Sequence, residues 1–187
     1  MEQIPSLSGP EKQQILRLAR EALMAAVRKE AHRPTDKDYS GRLGLPGACF
    51  VTLHKRGDLR GCIGLMSAEQ SLASAIIAMA EAAALRDARF APVQPEELDQ
   101  ISLEVSVLSP CIKIKGPSDV RVGEHGLLIS KGIHRGVLLP QVAAEHGWNA
   151  ETFLRQTCVK AGLPPDSWSD PGAVLEVFSA EILSEES

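Results

Sequence analysis

Long apolar runs are missing from this chain of 187 residues, and none approaches the roughly 20 residues that span a bilayer. The opening stretch, MEQIPSLSGPEKQQ, also lacks the basic and apolar regions of a secretory signal, so a cytoplasmic protein with no membrane attachment is expected. Aromatic residues are scarce at 4%, too few for a base-stacking platform. Positive charge is not in excess either. Twenty Lys and Arg stand against 24 Asp and Glu, a net charge of -4, which argues against general affinity for nucleic acid or an anionic membrane. The four cysteines (Cys49, Cys62, Cys111 and Cys158) show no CxxC spacing and read as reduced thiols. His32, His54, His125, His134 and His146 show no HxH or HxxxH spacing, so no dedicated metal site is expected. Glycine loops of the P-loop or dinucleotide type are absent too, and no cofactor is implied.

What is present reads as one globular domain with an ordinary core, 44% hydrophobic and 24% charged. Ser8-Gly9-Pro10-Glu11 combines an N-cap serine, a first-turn proline and a capping-box glutamate. Ile15, Leu18, Ala19, Ala22, Leu23, Ala26 and Val27 then recur at helical spacing, and the helix must end before Pro34. Arg33 to Gly47 reads as an irregular connection. Ala48 to Lys55 and Leu59 to Met66 read as two strands joined by Arg56-Gly57-Asp58, a hairpin loop rather than an adhesion motif. Ser67 to Gln70 has the form of a second capping box, opening an alanine-rich helix to about Leu85. Pro92 and Pro95 prevent its continuation.

Ile101 to Leu108 alternates cleanly, with Ile101, Leu103, Val105 and Val107 on one side and Ser102, Glu104 and Ser106 on the other. Further strands are expected at Leu127 to Ser130, at Val137 to Leu139, and as a single run from Val174 to Leu183. Pro140 can start a short helix and Asn149 can cap another reaching about Ala161. Strands joined mostly by hairpins, with helices outside them, give an α+β class with a largely antiparallel sheet.

One stretch does not suit a plain strand. Leu59-Arg60-Gly61-Cys62-Ile63-Gly64 (LRGCIG) places two glycines where side chains normally pack. In an extended chain Arg60, Cys62 and Gly64 share a face, and the missing side chains leave room for a ligand or another backbone. Arg60 can favour a thiolate or clamp a carboxylate or phosphate. The plainer reading is a core cysteine in a tight hairpin. Candidate partners are His125, in an expected turn, and Glu104, on the polar side of its strand. A thiol, an imidazole and a carboxylate together make an activated nucleophile: the imidazole takes the thiol proton and the carboxylate orients the imidazole. The plainer readings are a surface histidine and an exposed strand carboxylate. Asp87 and Arg89 read as an ion pair closing the alanine-rich helix.

LRGCIG, with Asp87-Ala88-Arg89-Phe90-Ala91-Pro92, Leu103 to Leu108, Gly123-Glu124-His125-Gly126 and Leu139-Pro140-Gln141-Val142, resembles the AMMECR family. The resemblance runs from about Ile15 to Leu183. It implies a single α+β domain over residues 8–185 with a larger and a smaller lobe, the smaller without defined limits. It also implies a groove near LRGCIG. As motif residues it marks Arg60, Gly61, Cys62 and Gly64, then Asp87, Arg89 and Phe90, then Glu104, His125 and Gln141. Cys62, His125 and Glu104 are the catalytic candidates; Arg60, Gly61, Gly64 and Gln141 are the candidates for substrate binding. Bacterial and archaeal members are labelled AmmeMemoRadiSam system protein A, which implies Memo-like and radical-SAM proteins as partners. Two functions follow: an enzyme using Cys62 on a small anionic substrate, or a non-catalytic module binding a metabolite or a partner protein.

Overall fold

Helix α1 (Gly9–Arg28) begins where its capping box requires, with the Glu11 carboxylate accepting from both the N–H and the Oγ of Ser8. It ends at Lys29, whose left-handed backbone (φ 58) turns its N–H back to the Ala25 and Ala26 carbonyls. The computed structural model describes residues 7–30 and 39–185. The first part of the Arg33 to Gly47 connection and the opening six residues therefore lie outside the described residues. The chain forms two compact units, one of residues 1–108 and 181–187, the other of residues 109–180.

In the first unit, β1 (Ala48–Lys55) and β2 (Asp58–Leu65) form a hairpin on Arg56 and Gly57, with φ values of 54 and 90. Two successive positive φ angles mark the type I′ turn, whose twist matches that of the strands. Helix α2 (Leu72–Leu85) starts later than the capping-box pattern suggests. Its N-cap is Ser71, which accepts from the Ser74 N–H at 3.1 Å. The residues before it are held extended against Leu45–Gly47, Gly47 donating to the Gln70 carbonyl and Leu72 to that of Leu45, so they cannot coil.

Strand β3 (Ile101–Leu108) adds to β1, giving a sheet in the order β2-β1-β3-β8, with β8 at Ala180–Ser184. Helices α1 and α2 cover one face. There Ile15, Leu23, Leu72 and Ile76 pack on Val51, Leu53, Leu103 and Val105. Each such burial contributes roughly 1.5–3 kcal/mol.

The second unit is an antiparallel sheet in the order β4-β7-β5-β6: β4 (Ile112–Ile114), β5 (Gly126–Lys131), β6 (His134–Leu138) and β7 (Val174–Phe178). Helix α3 (Pro140–Glu145) starts on its proline, and α4 (Ala150–Lys160) is capped by Asn149 Oδ1 accepting from Thr152 N–H at 2.8 Å. Phe153, Leu154 and Cys158 of α4 pack on Leu127, Ile129, Leu175 and Val177. The run expected as one strand from Val174 to Leu183 is two strands in two sheets, interrupted at Ser179. The larger and smaller units and the two antiparallel sheets flanked by helices agree with the α+β expectation.

Candidate functional site

The two-residue turn pairs Lys55 with Asp58, and the register then slips: His54 faces Leu59 and Leu53 faces Gly61. Arg60 is the extra residue of a β-bulge, which re-aims its side chain. Its guanidinium grips Glu97 on two sides, Nε to Oε1 at 3.1 Å and Nη2 to Oε2 at 2.9 Å, while Nη1 donates to the Ala91 carbonyl. Lys55 Nζ reaches the same Glu97 at 2.7 Å. Hydrogen bonds from Arg60 hold the Glu97 carboxyl down at about 2. Arg60, expected to receive an anionic substrate, is thus committed to the protein's own carboxylate.

Past the bulge, Cys62 stands opposite Thr52 of β1, and Thr52 stands opposite Glu104 of β3. Residues directly opposite in an antiparallel sheet share a face, and this one is turned away from α1 and α2. Thr52 Oγ1 donates to Cys62 Sγ at 3.3 Å, and Ser184 Oγ of β8 donates to Glu104 Oε2 at 3.3 Å. The four side chains make a row across all four strands. Cys62, Thr52 and Glu104 are each half-buried.

The main chain of Cys62 points the other way, off the sheet edge. Its N–H donates to Asp87 Oδ2 at 2.9 Å, and its carbonyl accepts from Arg89 Nη2 at 3.2 Å. Cys62 and Thr52 are therefore a pair that exchanges no backbone hydrogen bonds, the geometry that brings cross-strand side chains closest. Asp87 also accepts from Arg89 N, Nε and Nη2 at 3.1, 2.9 and 2.7 Å. These bonds, those from the Arg89 side chain foremost, hold its carboxyl well below the usual carboxylate range. The Asp87–Arg89 pair follows the end of α2, as expected, and it also clamps the exposed edge of β2 at Cys62.

The glycines of LRGCIG make room for the protein itself. A side chain at Gly61 would put its Cβ 2.2 Å from the Ala83 carbonyl oxygen of α2, and one at Gly64 would meet the Phe50 ring at 2.2 Å. Gly61 thus sits against the helix, not beside the thiol.

Cys62, Glu104, Arg60, Gly61 and Gly64 belong to the first unit, whereas His125 and Gln141 belong to the second. His125 Nδ1 accepts from the Arg121 N–H at 3.1 Å in its own turn. Burial and the Arg121 charge lower its pKa, against a smaller opposing effect of Glu124 and the Asp119 carbonyl. Gln141 carries a buried Oε1 with no hydrogen-bond partner among the described residues. Thr52 and Ser184 were not singled out by the sequence. Thr52 shows only as a polar residue in the alternation of β1, and its partner depends on a bulge. Among the described residues no group of three His, Cys, Asp or Glu could hold a metal ion, and no helix is long and apolar enough to cross a membrane.

Residues 16–183 match the AMMECR1 family. The chain is 46% identical to protein TK0174 of Thermococcus kodakarensis, over 92% of this chain and 89% of that protein. A protein of Methanothermobacter thermautotrophicus is 44% identical over 96% and 97% of the two chains. Among solved structures, the crystal structure of PH0010 from Pyrococcus horikoshii superimposes with a TM-score of 0.83 at 42% identity, covering 94% of this chain and 91% of that one. The resemblance first carried by LRGCIG and the later motifs holds over nearly the whole length, and the chain belongs to the AMMECR1 family.

Proposed function

We propose that this chain is a thiol-dependent enzyme in which Cys62 attacks a small anionic substrate. The observation that carries the reading is the double fixation of Cys62. Its backbone is held at both polar groups by Asp87 and Arg89, and its sulfur receives the Thr52 hydroxyl. A sulfur fixed in this way meets a reacting carbon without reorganising, which is the main requirement of a positioned nucleophile. Glu104, one strand further along the row, is the carboxylate available to the bound substrate.

The test is incubation with a panel of small anionic activated carboxylate esters, followed by turnover and intact mass. The sulfur bonds to the acyl carbon and the ester C–O bond breaks as the alcohol leaves. Turnover or an adduct that maps to Cys62 and disappears in Cys62→Ser is expected. Turnover that survives Cys62→Ser overturns the proposal.

A second reading, a module that binds a partner protein, is favoured by apolar exposure in the second unit. Ile133, at the tip of the β5–β6 hairpin, is 97% exposed, and Ile112 on the edge strand β4 is also exposed. Memo-like and radical-SAM proteins are the partners this reading names. Co-purification with either, lost on Ile133→Asp and kept in Cys62→Ser, would establish the second reading over the first.

A further inference from the structure

The anion-binding role first expected of Arg60 has a better-placed candidate. Arg60 has its three nitrogens engaged by Glu97 and the Ala91 carbonyl. Arg89 is differently situated. Its Nε and Nη2 are fixed by Asp87, whose side chain is only 4% exposed, and Nη2 also reaches the Cys62 carbonyl. The guanidinium lies 5.4 Å from the centre of the Phe90 ring, and its side chain is 57% exposed. Nη1 has no partner among the described residues. A guanidinium is a rigid fork, so fixing one edge also fixes the direction of the other. The result is an oriented donor beside the residue that carries the thiol.

We propose that Arg89 is the group that recruits anionic ligands to Cys62, its free Nη1 edge donating to a carboxylate or similar small oxyanion while Asp87 holds the other edge. This rests on the reading of Cys62 as a reactive thiol. The substrate class it names is a small molecule with an oxyanion close to its thiol-reactive carbon. Asp87 raises the Arg89 pKa and, to a lesser degree, so does the Cys62 sulfur, so the recruiting charge persists at every physiological pH.

Iodoacetate and iodoacetamide test this directly, because they differ in charge and little in size. With either reagent the Cys62 sulfur bonds to the methylene carbon, the carbon–iodine bond breaks, iodide leaves and the thiol proton passes to buffer. At one pH the ionised fraction of the thiol cancels from the ratio of the two rates. Labelling at Cys62 is read by peptide mass mapping in the native protein and in the same protein unfolded in urea. The iodoacetate-to-iodoacetamide ratio is expected to be about fivefold higher in the native state, the size of one exposed ion pair. It should fall to the unfolded ratio in Arg89→Gln and be partly retained in Arg89→Lys. An equal ratio in native and unfolded protein, with Cys62 still labelled, overturns the role of Arg89 and leaves the thiol reading standing. Native Cys62 that reacts with neither reagent overturns both. If Arg89→Gln does not fold, the native-to-unfolded comparison and Arg89→Lys decide the matter.

Discussion

Thr52 and Cys62 face each other across the first two strands, with the Thr52 hydroxyl donating to the Cys62 sulfur at 3.3 Å. A donor aimed at a sulfur holds it in one direction, which is what a positioned nucleophile needs. Thr52→Val keeps the strand-forming shape and removes the donor. Alkylation of Cys62 by iodoacetamide near neutral pH should slow by about fivefold, roughly 1 kcal/mol for one hydrogen bond, with little change in Tm. An unchanged rate would show that the hydroxyl does not act on the sulfur.

The four thiols should label in a fixed order. Burial pushes the Cys49 thiol up to about 12 and also raises those of Cys111 and Cys158. Cys49 and Cys158 are buried, whereas Cys111 is half-buried. Cys62 is expected to react first, Cys111 next, and the buried pair only on unfolding, as followed by mass mapping against time. Early labelling of Cys49 would contradict the packing of β1 against the helices.

Gly61 and Gly64 should respond unequally to alanine. At Gly61 the new Cβ meets a helix carbonyl, which moves only if α2 moves, whereas at Gly64 it meets the Phe50 ring, which can swing aside. Gly61→Ala should cost about 3 kcal/mol and Gly64→Ala about 1 to 2, read from urea midpoints. The reverse order would mean that the helix is the softer element.

Acid should remove what Glu97 contributes. Its carboxyl, near 4.5 when unperturbed, sits at about 2 in the folded chain, chiefly through Arg60. The folded state therefore binds fewer protons than the unfolded one between those values. The stabilisation is complete above the unfolded value and is lost as pH falls toward the folded one. Glu97→Gln should cost about 2 to 3 kcal/mol at about pH 6, and the gap from the unsubstituted chain should narrow at about pH 3. A gap independent of pH would assign the loss to packing.

The last residues of the sheet depend on Arg20. Its guanidinium holds Glu185 through Nε and Nη2 and donates to the Ile101 carbonyl at 2.8 Å, while Glu185 also accepts from the Leu103 N–H. Arg20→Met should cost about 2 kcal/mol and raise hydrogen exchange in β8 more than in β1. Uniform exchange across the sheet would refute a local latch.

Much of the fold is local and legible. The capping box at Ser8 and Glu11, the alternation of Ile101 to Leu108 and the Asn149 cap act through residues a few positions apart, so short-range rules find them. The start of α2 is not local. The chain before Ser71 pairs with Leu45–Gly47, more than 20 residues away, and that pairing overrides a plausible cap. Likewise, nothing within Val174 to Leu183 shows that its halves join different sheets.

The candidate site divides along the same line. Read from the chain alone, a thiol stands between two glycines in a hairpin strand, and Asp87, Arg89 and Glu104 lie in the later segments that carry the resemblance. The direction in which the thiol faces comes from strand pairing. A two-residue turn continued without interruption would set Cys62 opposite Val51, on the face buried under the helices. The bulge at Arg60 shifts the pairing by one residue, and a slip of one turns every later side chain to the other face. Arg60 leaves the ladder to reach Glu97, and Cys62 comes to stand beside Thr52. That exchange depends on a carboxylate 37 residues away in the chain, beyond the reach of any periodicity.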